Sequence, residues 1–234
     1  MAAGPLVRAP DPDRTERYSA QPFGPGAPLR IASADFTGDG VADVVAGTGP
    51  GGPSHVAVPV GSTEAEVFAF GSFEPAFTGR VYVAARDGDG DGDADLVFGG
   101  GPAGGSRVRV ASGKELLAVA DLWTLDDSAA AAPRMQLADM FAGDPSRRGE
   151  VRVAVKDADG DGRVELLTGS GVGEAGRVRV YKSATVLAGG AADRTLDPFP
   201  GVGLPYGAFV CLRQGSIERA ESARGGTCLG SRLI

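Results

Sequence analysis

Three stretches of this chain align with one another without a gap, and that repetition constrains the fold more than any single motif. They are APLRIASADFTGDGVADVVAGTGPGGPSHVAVPVG from Ala27, GRVYVAARDGDGDGDADLVFGGGPAGGSRVRVASG from Gly79 and GEVRVAVKDADGDGRVELLTGSGVGEAGRVRVYKS from Gly149. The equivalent residues Asp35, Asp87 and Asp157 lie 52 and then 70 residues apart. The excess in the second interval falls in TLDDSAAAAPRMQLADM, residues 124–140, which reads as an insertion carrying a short helical turn before Pro133. Trp123 and Phe141 flank it and are expected to close a contact between repeats.

Within each copy the apolar residues alternate. Val81 and Val83, Leu96 and Phe98, and Val108 and Val110 have the period of two that places every second side chain on one face of a strand. The third copy repeats this at Val151, Val153, Leu166, Val178 and Val180. AEVFAFGSF and KELLAVADLW are read as a fourth strand. The expected fold class is therefore all-β: a β-propeller-like array of four-stranded antiparallel blades, about three to four in number, in an incomplete ring. The 38 glycines and the low aromatic content of 6% suit short strands and tight turns.

The domain boundaries follow. Residues 1–15 are expected to be disordered, and 16–210 form the blades, with repeats at about 27–78, 79–148 and 149–206. Residues 207–234 read as a degenerate or truncated tail, in which a fourth repeat begins and is abandoned. Here Gly207 is matched to Gly79 and Gly149, so an aspartate is expected at 215, where the chain has Gly215. A shifted reading frame or a gene truncation would produce such a tail. An open ring leaves unpaired strand edges, so self-association through them is expected.

The strands flank three acidic loops, DFTGDGVAD from Asp35, DGDGDGDAD from Asp87 and DADGDGRVE from Asp157. Oxygen ligands recur at positions 1, 3, 5 and 9, and Gly40, Gly92 and Gly162 occupy position 6. Calcium takes six to eight hard oxygens, and alternate residues of a tight loop can aim carboxylates at one centre. The candidate side-chain ligands are Asp35, Thr37, Asp39 and Asp43; Asp87, Asp89, Asp91 and Asp95; and Asp157, Asp159, Asp161 and Glu165. Val41, Asp93 and Arg163 at position 7 would add backbone carbonyls. About three Ca2+ ions are expected, with the Asp87 loop the tightest, because Thr37 lowers the charge of the first loop and Glu165 reaches farther than aspartate. An EF-hand needs a bidentate Glu at position 12 and flanking helices, whereas position 12 is Ala46, Phe98 or Thr168 and the flanks alternate as strands.

The D-x-D-x-D-G-x-x-D loop between strands, followed by VFGGGPAGG or VAGTGPGG, resembles the FG-GAP/VCBS repeat of integrin-alpha-type β-propellers. Phe98-Gly99 and the downstream Gly-Pro are the matching letters, and LTGSGVGEAG in the third copy lacks the Pro. The resemblance covers roughly residues 16–210. It implies calcium in blade loops, a ring of stacked four-stranded blades, an extracellular or cell-surface location, and a non-enzymatic role in adhesion or in binding a protein or glycan ligand.

Other chemistries fit less well. Gly47, Gly49 and Gly52, like Gly99, Gly101 and Gly104, spell G-x-G-x-x-G, but a dinucleotide site needs a helix to open there, and SHVAVPV and SRVRVAS alternate as strands. His55, the only histidine, sits in a turn, where a half-packed or exposed imidazole is the usual case. A propeller scaffold carrying a hydrolase or lyase site is the alternative reading, and a decaying fragment with no independent function is another. A net charge of −7 argues against nucleic acid, and the RVRV stretches read as strands with solvated arginines. No apolar run reaches the length of a membrane span, and the first residues show no apolar core of a signal peptide. Cys211 and Cys228 alone build neither a disulfide framework nor a zinc site.

Overall fold

The computed structural model describes residues 7–10, 16–20, 22–23, 28–38, 40, 42–59, 66–119, 135–172, 174–198, 200–201 and 207–210. Three four-stranded antiparallel sheets succeed one another along the chain. The first holds β3 (Leu29–Ala34), β4 (Asp43–Thr48), β5 (His55–Pro59) and β6 (Glu66–Gly71). The second holds β7 (Val81–Arg86), β8 (Asp95–Gly100), β9 (Arg107–Ala111) and β10 (Gln136–Phe141). The third holds β11 (Val151–Lys156), β12 (Glu165–Ser170), β13 (Val178–Lys182) and β14 (Arg194–Leu196). In every sheet the strands lie in chain order, so each unit is a simple meander. The all-β expectation holds for the described residues.

The alternation read from the sequence decides how the units pack. Val81, Val83 and Phe98 face one way from the second sheet, into a core with Val45, Val56 and Phe70 of the first. Tyr82, Ala84 and Val97 face the other way, into a core with Val153 and Leu166 of the third. The middle sheet is thus covered on both faces, and the first strands of the three units lie side by side, β3 against β7 and β7 against β11.

Glycine sets the closeness of that approach. A Cβ on Gly47 of β4 would lie 2.8 Å from the Val81 carbonyl oxygen of the next unit, and one on Gly99 of β8 would lie 2.5 Å from that of Val151. A Cβ on Gly169 of β12 would lie 2.2 Å from the carbonyl oxygen of Ala208. Residues 207–210 therefore occupy, against the third sheet, the place that a following first strand takes against the other two. The Ala208 amide donates to Ser170 O at 2.8 Å, and Ala208 is buried. This corrects the expected register by one residue: Ala208, not Phe209, stands in the place of Val81 and Val151, so Gly207 matches Arg80 and Glu150. It also draws 207–210 out of the proposed tail and into the packed array.

Three other expectations change. KELLAVADLW is no strand over its described part, because Gly113–Val119 forms helix α1. Ser112 and Glu115 make an S-x-x-E capping pair, the Ser112 Oγ accepting from the Glu115 amide at 3.3 Å, and Leu116 anchors the helix in the core. The fourth strand of that unit is Gln136–Phe141, which lies largely within the supposed insertion 124–140. The helical turn before Pro133, like Trp123, lies outside the described residues, and Phe141 is 48% exposed instead of closing a contact. Finally, Val7–Pro10, inside the segment expected to be disordered, is β1, paired with β2 (Glu16–Ala20); in-register pairs such as Val7 with Ala20 satisfy their backbone groups. A second short helix, α2 (Ser183–Leu187), follows β13.

Candidate metal centres

Each acidic loop joins the first and second strands of its unit, and all three are built by the same hydrogen bonds. The position 1 carboxylate accepts the amides of positions 4 and 6: Asp35 from Gly38 and Gly40, Asp87 from Gly90 and Gly92, Asp157 from Gly160 and Gly162, at 2.6 to 3.1 Å. Those six glycines all have positive φ, between 71° and 97°, which explains why no side chain is used there. Position 6 was legible from the alignment. Position 4 was missed, although Gly38, Gly90 and Gly160 stand in the same column.

The position 9 acid closes the loop from the far side. Asp43 accepts from Phe36 and Thr37, Asp95 from Gly88 and Asp89, and Glu165 from Ala158. All three of these acids are buried, Asp95 to 1% exposure. Asp95 Oδ1 also accepts the Gly113 amide at 3.2 Å, tying the second loop to the start of α1.

In the second and third loops three carboxylates converge. Asp87, Asp89 and Asp95 each place an oxygen within 4.8 Å of the others, and Asp157, Asp159 and Glu165 do the same. These are positions 1, 3 and 9 of the expected ligand set. Position 5 is not in either group: Asp91 and Asp161 instead accept the amides of Asp93 and Arg163 at 2.9 Å. In the first loop Asp35 and Asp43 take the same hydrogen bonds as their counterparts, but Asp39 and Val41 lie outside the described residues.

The donor set fits a hard divalent cation. Of about four lone-pair positions on a carboxylate, Asp87 uses two for amides and Asp95 three, leaving both able to bind an ion. Gathered this closely, ionised carboxylates repel one another, most strongly at the members shielded from water. The strain shows at the buried members. Burial pushes the Asp95 carboxyl up to about 6, with the Asp89 charge adding to it and the amides of Gly88 and Gly113 opposing it. Burial also raises Glu165, reinforced by Asp159, Asp161 and Asp157. At the rim Lys114 Nζ lies 3.3 Å from Asp91 and 3.7 Å from Asp93, and Lys182 Nζ lies 3.1 Å from Asp159. A cleft of about 560 Å³ beside the second loop, lined by Asp87, Asp89, Arg86, Arg163 and Leu187, gives access from solvent.

Elsewhere the structure uses its charges for packing. Arg107 and Arg109, expected on a solvated face, both reach Asp139, at 2.6 and 2.9 Å, and Arg107 also pairs with Glu74. His55 stacks on Phe23 with ring centroids 6.4 Å apart, and burial lowers its pKa. The G-x-G-x-x-G stretches run into β5 and β9, so no helix faces a phosphate there. No helix among the described residues is long and apolar enough to cross a membrane. No family model matches the chain, and no curated protein matches it.

Proposed function

We propose that this chain is a calcium-binding repeat module of the FG-GAP/VCBS kind, whose units are β-propeller blades held in shape by ions in their first loops. The observation that carries this reading is the recurrence of one arrangement: Asp87, Asp89 and Asp95 in one unit, and Asp157, Asp159 and Glu165 in the next, converge within 4.8 Å at the same loop positions. The all-oxygen donor set favours calcium over magnesium, which dehydrates reluctantly and seldom takes such all-protein cages. Propeller geometry is supported by the meander order of each sheet and by the neighbouring first strands, which would line a central axis. The role is non-enzymatic, the array presenting a surface to a protein or glycan at the cell exterior, as the repeat resemblance implies.

Calorimetric titration of chelator-stripped protein tests this. Calcium binds with the affinity lost stepwise in Asp35→Asn, Asp157→Asn and Asp87→Asn, the last losing the tightest site. Absence of calcium heat, or magnesium binding of equal strength, contradicts the reading.

A further inference from the structure

The turn between the second and third strands is packed differently in each unit. In the second unit the Phe77 ring fills the space beside it: a Cβ on Gly104 would lie 2.8 Å from Phe77 Cζ, and the ring meets Phe73 edge-on with centroids 5.3 Å apart. In the third unit Glu174 stands where the second has Gly104, and its Oε1 comes within 2.7 Å of where a Cβ on Gly149 would lie. In the first unit the counterpart is Gly52, and among the described residues no atom lies within 4 Å of where its Cβ would be. A pocket of about 610 Å³ opens there, with Pro22, Phe23, Pro28, Pro50, Gly52 and His55 among its walls. That size falls in the range of about 300 to 1,000 Å³ usual for small-molecule sites.

The walls have also lost the charges of the sister units. Pro28 and His55 stand where the second unit has Arg80 and Arg107 and the third has Glu150 and Arg177, and no charged side chain is among the described lining residues. Arg107 is committed to Glu74 and Asp139, whereas His55 faces the Phe23 ring, with planes 23° apart. Among the described residues neither imidazole nitrogen of His55 has a hydrogen-bond partner. Burial lowers the His55 pKa, so at neutral pH the ring is uncharged and offers one donor and one acceptor.

We propose that this pocket binds a small molecule built on an uncharged aromatic ring that carries a hydroxyl or N–H group. The ring lies against Gly52 as the Phe77 ring lies against Gly104, and the polar group bonds to the His55 imidazole. A flat ring suits walls of proline and paired aromatic rings, whose faces and edges attract another ring. A charged ligand would lose its hydration with no counter-charge on the walls to replace it. Thr48, which lines the pocket, and Asp43, which closes the acidic loop, stand at opposite ends of β4, so ring binding and ion binding are separate events.

His55 is the only histidine, so its Cε1 proton gives one signal in the NMR spectrum of the full chain. Phenol titrated into the protein in excess calcium is expected to shift that signal to saturation. Cyclohexanol, which lacks the flat ring, and benzoate, which is flat but charged, are expected to bind more weakly by about tenfold or more. Gly52→Leu puts a side chain into the open space and abolishes the phenol shift, and Gly52→Ala, the milder variant, weakens it. No shift with phenol, equal affinity for cyclohexanol, tighter binding of benzoate, or a phenol shift indifferent to both Gly52 variants overturns the proposal. The calcium reading is scored separately: calcium heat without a phenol shift removes the ring site alone, and a phenol shift without calcium heat removes the calcium alone.

Discussion

Asp95 Oδ2 accepts the amide of Gly88 at 2.9 Å, so the last acid of the second loop holds the backbone at its beginning. With the Asp89 and Gly113 amides on the same carboxylate, one buried side chain organises the loop and the start of α1. Asp95→Ala strands three amide donors and is expected to cost about 3 kcal/mol or more even with calcium absent, since each unsatisfied buried donor costs about 1 to 3 kcal/mol. Asp95→Asn keeps an acceptor oxygen, so it loses ion affinity with less loss of fold. Chemical denaturation of both variants in chelator distinguishes these outcomes.

The raised carboxyls give the ion-free protein an unusual acid response. A carboxyl whose folded pKa lies above its unfolded value of about 4 favours the folded state when protonated. For Asp95, at about 6, stability therefore rises as pH falls from about 7 toward 4, and Glu165 adds the same sign. With calcium bound the trend reverses, because protons and the ion compete for the same oxygens. Thermal melts at about pH 7 and pH 5, in chelator and in excess calcium, are expected to show slopes of opposite sign; equal slopes contradict the assignment.

Asp139 behaves the other way. Burial raises its carboxyl, but hydrogen bonds and charge from Arg107 and Arg109 outweigh this and hold it below the ordinary aspartate value. Its contribution is complete above about pH 4 and is lost as pH falls through the lower folded value. Asp139→Asn removes the charge that Arg107 and Arg109 share, leaving Arg107 its pair with Glu74, and is expected to cost about 1 to 2 kcal/mol at neutral pH, with no change in calcium affinity. Denaturant unfolding and calcium titration of the same variant check both halves of that statement.

The strands and loops were legible in the sequence because the physical signals recur there: alternation at Val81, Val83, Leu96 and Phe98, and acids in one register at Asp87 and Asp157. What misled was local. KELLAV carries an apolar run that suits a strand or a helix, and the Ser112–Glu115 cap decides for the helix. The fourth strand of that unit hid inside an apparent insertion, because MQLADM lacks the β-branched residues of its sisters. The register at Gly207 could not be read from the sequence, since it is fixed by backbone approach, Gly169 against Ala208, and not by side-chain pattern. The Arg107–Asp139 pairing was equally out of reach, because it joins strands brought together across the unread segment.

Thermal unfolding in excess calcium and in excess EDTA tests the central claim most directly. At a free ion concentration of 100 times the Kd, each site adds about 2.7 kcal/mol. For a protein of this size 1 kcal/mol moves the midpoint by about 2 to 4 °C. Two occupied loops, those of Asp87 and Asp157, are therefore expected to raise the midpoint by about 10 °C or more over the chelated protein. A midpoint unchanged by EDTA would contradict the account.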